Sequence, residues 1–417
     1  MTATAPFRSL LSNIVDNRGK TCPIAETGLP LIATNCVKNS TLYPVFEKVR
    51  YVDRHTYETW FRGHPLPGDL IFVCKGSPGQ VCMTPDPVNF CIAQDMMAIR
   101  ADPAKIYPPY LFAALRSDQV QNSITNMHVG TLIPHFKKGD FDKLDIPLPD
   151  SPTQHFTGDF YLAVTEKIEL NRRMNETLEG MAQAIFQDWF VDFGPVRRKA
   201  AGAVDAQAIM GGLTTDPARA AQLAALFPAA FGEDDLPMGW TFAPLSDLLV
   251  LQRGFDLPKT TRTDGDFPVI AASGPSGTHN EFKVKGPGVC TGRSGVLGGV
   301  YYVDGDFWPL NTSLWVKDYP GSTPLYAFHL LRGIDLAGFN AGSAVPTLNR
   351  NHIHSLPTVK PPVAVIEAFD ANVGSFYAKM AAGRAENETL AETRDYLLPR
   401  LMLGKVRVAP LVNEAGR

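Results

Sequence analysis

The side chains best suited to chemistry here are cations set among small residues on loops. Arg293 stands between Gly292 and Ser294-Gly295, and small neighbours permit close backbone approach. A guanidinium in such a loop pairs with the O6 and N7 acceptors of guanine or grips a phosphate. In the second half of the chain Arg253, Lys259, Arg262, Ser294 and Arg350 join Arg293 as candidates of this kind. In the first half they are Arg18, Lys20, Lys75, Ser77, Lys137 and Lys138. For any one of them the competing reading is a solvated surface charge. Binding rather than turnover is the chemistry these residue types suggest.

Patterns that would signal catalysis fail on inspection. No Gly-x-x-x-x-Gly-Lys-Ser/Thr phosphate loop occurs, so ATP hydrolysis is not encoded. Gly292-x-x-Gly295-x-x-Gly298 lacks the spacing and the βαβ setting of a dinucleotide fingerprint and reads as a turn. Tyr107-Pro-Pro-Tyr110 resembles the adenine-amino methylation motif, but Tyr107 replaces the Asp or Asn whose oxygen would accept from the target amino group. The two prolines instead suit the start of a helix over Leu111–Arg116. His352-x-His354 is a possible metal pair on an extended segment, without convincing further ligands; a loop or DNA-facing polar pair is the preferred reading. The expected catalytic, metal and cofactor sets are therefore empty.

Composition sets wider bounds. The 417 residues suffice for two or more domains with their own cores, and 45% hydrophobic with 19% charged residues is a folded composition. The sequence has no apolar run of 18 residues or more and no signal-peptide plan at its start, which predicts a cytoplasmic protein without membrane association. Cys22, Cys36, Cys74, Cys82, Cys91 and Cys290 are unevenly spread with no Cys-x-x-Cys pair, and read as buried reduced thiols. A net charge of −3 argues against simple phosphate binding unless cations are concentrated locally or partners share the electrostatic work.

The elements that must hold these residues are written twice. Gly130-Thr-Leu-Ile-Pro134 recurs as Gly342-Ser-Ala-Val-Pro346, an offset of 212 positions. In the same register Leu144 falls on Leu356, Lys167 on Lys379, and Asn175-Glu-Thr-Leu178 on Asn387-Glu-Thr-Leu390. Upstream, Tyr110–Arg116 resembles Tyr326–Arg332, and Arg18-Gly19 mirrors Arg253-Gly254. Short apolar runs such as Leu70–Cys74 and Val300–Val303, bounded by Gly, Pro and Asp, read as strands.

A long helical pattern follows each globular unit. In the second, Ile366, Phe369, Val373, Phe376 and Met380 are spaced 3, 4, 3, 4, a coiled-coil seam that continues through Asn387, Leu390 and Leu397. In the first, Val164, Ile168, Asn175, Leu178, Ile185 and Trp189 are the corresponding positions. Gly194-Pro195 is expected to stop the first helix, and Pro399 with Gly404 the second. Asn175 and Asn387 could meet on the seam and fix its register. The fold expected is mixed α/β: two duplicated α/β domains and two long helices forming an antiparallel, pseudo-twofold coiled coil. The divisions are 1–150, first domain; 151–194, first helix; 195–236, an Ala-rich connector; 237–360, second domain; 361–404, second helix, with a tail to 417.

Lys167-Ile-Glu-Leu-Asn-Arg-Arg-Met-Asn-Glu-Thr-Leu178 with Trp189-Phe-Val-Asp-Phe193, and Tyr396-Leu-Leu-Pro-Arg-Leu401 with Gly404–Val408, resemble the helical spacers of type I restriction-modification specificity subunits. Gly292–Gly295 and Gly342-Ser343 with Pro346 are similar to loops of that family's target-recognition domains. The resemblance implies a non-catalytic subunit that reads a split, asymmetric site in double-stranded DNA. It implies helices that set the spacing and dock two methylation subunits, with restriction-translocase subunits joining them. S-adenosylmethionine, ATP and magnesium would then belong to those partners, and the modification would be N6-adenine methylation. The alternatives are a self-sufficient DNA methyltransferase or nuclease, and a coiled-coil adaptor that binds protein only.

Overall fold

Alternation of short apolar strands with glycine- and proline-rich turns produces, in the computed structural model, small sheets backed by helices. Residues 3–17, 21–127, 135–342 and 344–406 are described. They form two compact units, one of Met1–Arg173 with Gly383–Arg417, the other Met174–Ala382.

The first unit holds a four-stranded antiparallel sheet in the spatial order Leu11–Val15, Met96–Ala101, Leu70–Val73, Val81–Met83. A three-stranded sheet has Leu29–Ile32 between Arg50–Val52 and Cys91–Ile92, the last pairing parallel. Thr4–Pro6 pairs with Asp145–Pro147. Phe7, Phe72, Phe136 and Phe141, all fully buried, centre the larger core with ring centroids 4.7 to 6.0 Å apart. Each such side chain contributes about 1.5–3 kcal/mol by burial. Pro108 and Pro109 open the helix Pro108–Arg116, where a missing N–H costs nothing.

The second unit repeats this plan strand for strand. Its four-stranded sheet runs Val250–Arg253, Ser313–Asp318, Gly288–Gly292, Val300–Val303. Its three-stranded sheet has Phe267–Ala271 between Gly274–His279 and Trp308–Pro309, again with the last pair parallel. Thr241–Pro244 pairs with Pro357–Lys360. The duplication read from sequence is therefore a duplication of topology. The segment expected as a weakly patterned connector folds into three short helices. They place Val196, Ile209, Met210, Leu223, Ala224 and Phe227 in this unit's core.

The long helices are Ser151–Phe186 and Val363–Met402. In each unit their segments touch in antiparallel order. Within the first unit Lys167 Nζ lies 3.1 Å from Glu386 Oε2, and the Arg394 guanidinium sits over the Tyr161 ring at 5.6 Å. Within the second, Asn175 Nδ2 donates to the Met380 carbonyl at 3.4 Å and Phe186 packs on Phe369. Of the expected seam residues, Ile185, Trp189, Phe369, Val373 and Met380 are buried. Val164, Ile168, Leu178, Leu390 and Leu397 are half-buried.

Four details depart from the sequence reading. Tyr377 rather than Phe376 is the buried seam residue: its hydroxyl meets His329 Nε2 at 3.0 Å, while Phe376 packs half-buried against the same core. Asn387, which the sequence matched to Asn175, is partnered within the first unit: its Oδ1 accepts from Asn171 Nδ2 at 2.9 Å. The second helix runs through Pro399 to Met402, since Leu398, Leu401 and Met402 are all buried there; Gly404, at φ 64°, ends it. The first helix widens into a π turn over Gln187–Val191, and Phe193 at φ 52° breaks the run. Gly194-Pro195 then begins the next helix, Gly194–Ala200.

Candidate nucleic-acid interface

In the second unit Arg253 closes the strand Val250–Arg253 and Arg293 follows the strand Gly288–Gly292. A Cβ at Gly292 would collide with the Val296 carbonyl, and Gly295 sits at φ 93°, so the Arg293 loop needs both glycines. The Arg293 amide and that of Ser294 donate to the Thr312 carbonyl at 2.9 and 3.0 Å. Its Nε donates to the Asn311 carbonyl at 2.8 Å. The guanidinium is thus aimed, not free. Burial, and then the charge of nearby Arg253, push its pKa down, with Asp256 opposing. Asp256 also accepts from the Asn311 side-chain amide and lies 4.0 Å from Arg253. Two guanidiniums close together repel, and an anion or a base edge rich in acceptors relieves that repulsion.

Arg350 is exposed at the start of the short helix Arg350–His354, and Lys259 is exposed on a turn. Arg262 is held differently: its Nη1 donates to the Ser276 carbonyl at 2.6 Å. His354 lies on that helix rather than on an extended segment. Its Nε2 accepts the Leu251 amide at 2.8 Å, and burial, with the charge of Arg350, lowers its pKa. That ring is a structural acceptor. Among the described residues no group of three or more His, Cys, Asp or Glu is placed to hold a metal. All six cysteines are buried free thiols.

In the first unit Lys75, Ser77, Lys137 and Lys138 are exposed; Arg18 and Lys20 lie outside the described residues, as do 128–134. A bridge links Lys75 to His135, and its counterpart links Ser294 to Thr347. Lys75 is therefore level with Ser294, and Arg293 is level with the buried Cys74. By the same register Lys138 stands level with Arg350, and Asp16, rather than the Arg18 that the repeat suggested, with Arg253. Lys138 Nζ lies 3.7 Å from Asp16 Oδ2. Sequence reasoning missed Asn311, Asp256 and Asp16. Only Asp256, three residues beyond Arg253, left a local signal; the others are set by strand register.

Comparison with known proteins follows this geometry. Residues 30–180 match a family model described as a type I restriction modification DNA specificity domain. The chain is 26% identical over 407 residues to the type I restriction enzyme HindI specificity subunit of Haemophilus influenzae, covering 81% of this chain and 86% of the relative. It is 20% identical over 336 residues to the MjaIX specificity subunit of Methanocaldococcus jannaschii, covering 72% and 70%. Its fold resembles the crystal structure of a type I restriction-modification S subunit from M. genitalium, with a TM-score of 0.58, 16% identity and 96% of each chain covered.

Proposed function

We propose that the chain is a specificity subunit of a type I restriction-modification system, in which each strand-rich unit reads one part of a two-part, asymmetric DNA site. The observation that carries this is the repeated strand order, with a cation level in both units at Lys138 and Arg350. Two copies of one reader suit a site with two halves. Subunits of this family direct the chemistry of partners and carry no catalytic centre.

On this reading two methylation subunits dock on the chain and restriction-translocase subunits join them. S-adenosylmethionine, ATP and magnesium belong to those partners, and the expected product is N6-methyladenine. Shared electrostatics then accounts for DNA binding by a chain of net charge −3.

The test is methylated-adenine mapping in cells with and without this chain, and with an Arg293→Ala variant. Methylation at a split site that depends on the chain is expected. In the variant, loss of a bidentate base contact relaxes one half-site by about 1–3 kcal/mol. An unchanged site set in the variant, at unchanged affinity, removes Arg293 as a reader. Methyl transfer by the purified chain alone overturns the reading as a whole.

A further inference from the structure

The first unit contains a cavity of about 440 Å³ whose lining includes Lys138 and Asp16 from the interface described above. Its volume lies in the range of about 300–1,000 Å³ typical of small-ligand sites. The strand Leu11–Val15 lies at the edge of its sheet, and this strand with the turn after it contributes Asn13 and Asp16. The loop after the helix Arg54–Thr59 contributes Arg62 and His64. Arg100 and Lys138 complete the polar lining.

These side chains divide by how they are held. Arg100 is spent on structure: its Nε and Nη2 bind both oxygens of buried Asp69 at 2.8 and 3.0 Å. His64 forms a fixed wall, stacked on Tyr57 with ring centroids 3.8 Å apart and its Nε2 3.0 Å from the Tyr57 carbonyl. Arg62 is exposed; its amide donates to Asn17 Oδ1 at 3.0 Å, which fixes the backbone. Its guanidinium reaches only the Asp16 carbonyl at 3.4 Å, with no ion-pair partner among the described residues. Lys138 meets Asp16 at the loose distance of 3.7 Å. The mouth thus presents two cations, and beside them stand an amide and a carboxylate that accept hydrogen bonds.

Cations beside acceptors match a nucleotide, which offers a phosphate together with exocyclic amino groups. Asn reads adenine and a carboxylate accepts from the cytosine amino group. We propose that this cavity seats one nucleotide of the DNA, its phosphate between Arg62 and Lys138 and its base edge toward Asn13 and Asp16. The inference rests on the DNA-specificity reading and adds a site within the first unit. It also gives Asp16 a role: the acidic residue level with Arg253 makes the first unit prefer an amino group where the second presents a guanidinium.

The test uses the complex assembled with its methylation subunits and a duplex carrying the site mapped for the wild type. Arg62→Ala is expected to weaken binding about tenfold on all sequences and to lower the salt slope by about one. Asp16→Ala is expected to relax base choice at one position of one half-site only. Either variant behaving as wild type removes the cavity as a nucleotide site. If Asp16→Ala lowers the melting temperature enough to unfold the chain, Asn13→Ala, on an exposed edge position, takes its place with the same two outcomes. A wild-type complex that shows no site-specific binding sinks the DNA-specificity reading itself, whereas wild-type binding with indifferent variants sinks only the cavity.

Discussion

His329 occupies the position that the internal repeat gives to Ala113, and it changes what the second unit requires of pH. The ring is fully buried. Nδ1 lies 3.0 Å from Gln183 Oε1 and Nε2 3.0 Å from the Tyr377 hydroxyl. Burial, reinforced by the charge of Arg332, pushes its pKa down from 6.5 to about 4. The folded chain therefore keeps this ring neutral where the unfolded chain takes up a proton. Stability from this residue is full above about pH 6.5 and falls as pH drops from there toward 4, by up to about 3 kcal/mol. Urea midpoints between pH 7.5 and 5 should decline in the wild type, and His329→Gln should lose that part of the decline. Equal slopes in both proteins would refute this. Nothing in the sequence marked His329, since a lone histidine on an apolar helix face carries no motif. Its meaning comes from Gln183 and Tyr377, which are distant in the chain.

At the scale of elements, the helices were legible because seam spacing survives in sequence, while the identity of each contact was not. Phe376 and Tyr377 are adjacent aromatic residues, and periodicity alone cannot choose between them. Hydrogen bonding to His329 selects Tyr377. The polar cluster around buried Asn171 in the first unit was equally hidden. Asn171 Oδ1 accepts from Lys167 Nζ at 3.1 Å, while Nδ2 donates to Glu386 Oε2 at 2.8 Å and Asn387 Oδ1 at 2.9 Å. Asn387 Nδ2 in turn donates to the Ile168 carbonyl at 3.3 Å. A one-turn slip would strand these groups, so the cluster specifies register at some cost in stability. Replacing one partner leaves the other short of hydrogen bonds. Asn387→Ala should cost about 1–2 kcal/mol. A double-mutant cycle with Asn171→Ala should show coupling of about 0.5–1.5 kcal/mol. Strict additivity would mean that the pair does not act as a unit.

For the molecule as a whole, duplication explains why the architecture could be read and the interface only partly. Sheet order depends on strand pattern, which both halves retain as apolar runs between turns. Contact residues depend on loop register, where the halves diverge: Lys75 proves level with Ser294, not with Arg293, and Asp16 with Arg253. Shared function is then best sought at positions that keep both place and charge. Lys138 and Arg350 do so, each exposed at the start of a short helical turn that precedes the closing strand of its own unit. Neither forms part of a core. Lys138 has Asp16 nearby, whereas burial first, and then the charge of Arg350, lowers the pKa of His354. If both grip the DNA backbone, Lys138→Ala and Arg350→Ala should each weaken binding of the assembled complex by a similar factor on every sequence. Each should also lower the slope of log affinity against log salt by about 0.9. If each grips its own phosphate the effects add, so the double variant should lose about twice that slope while its choice of methylated sites is preserved. Binding isotherms from about 50 to 200 mM salt would decide the matter. A double variant no weaker than either single one would show that the two positions do not hold the duplex together, and altered site choice would move them from backbone grip to base readout.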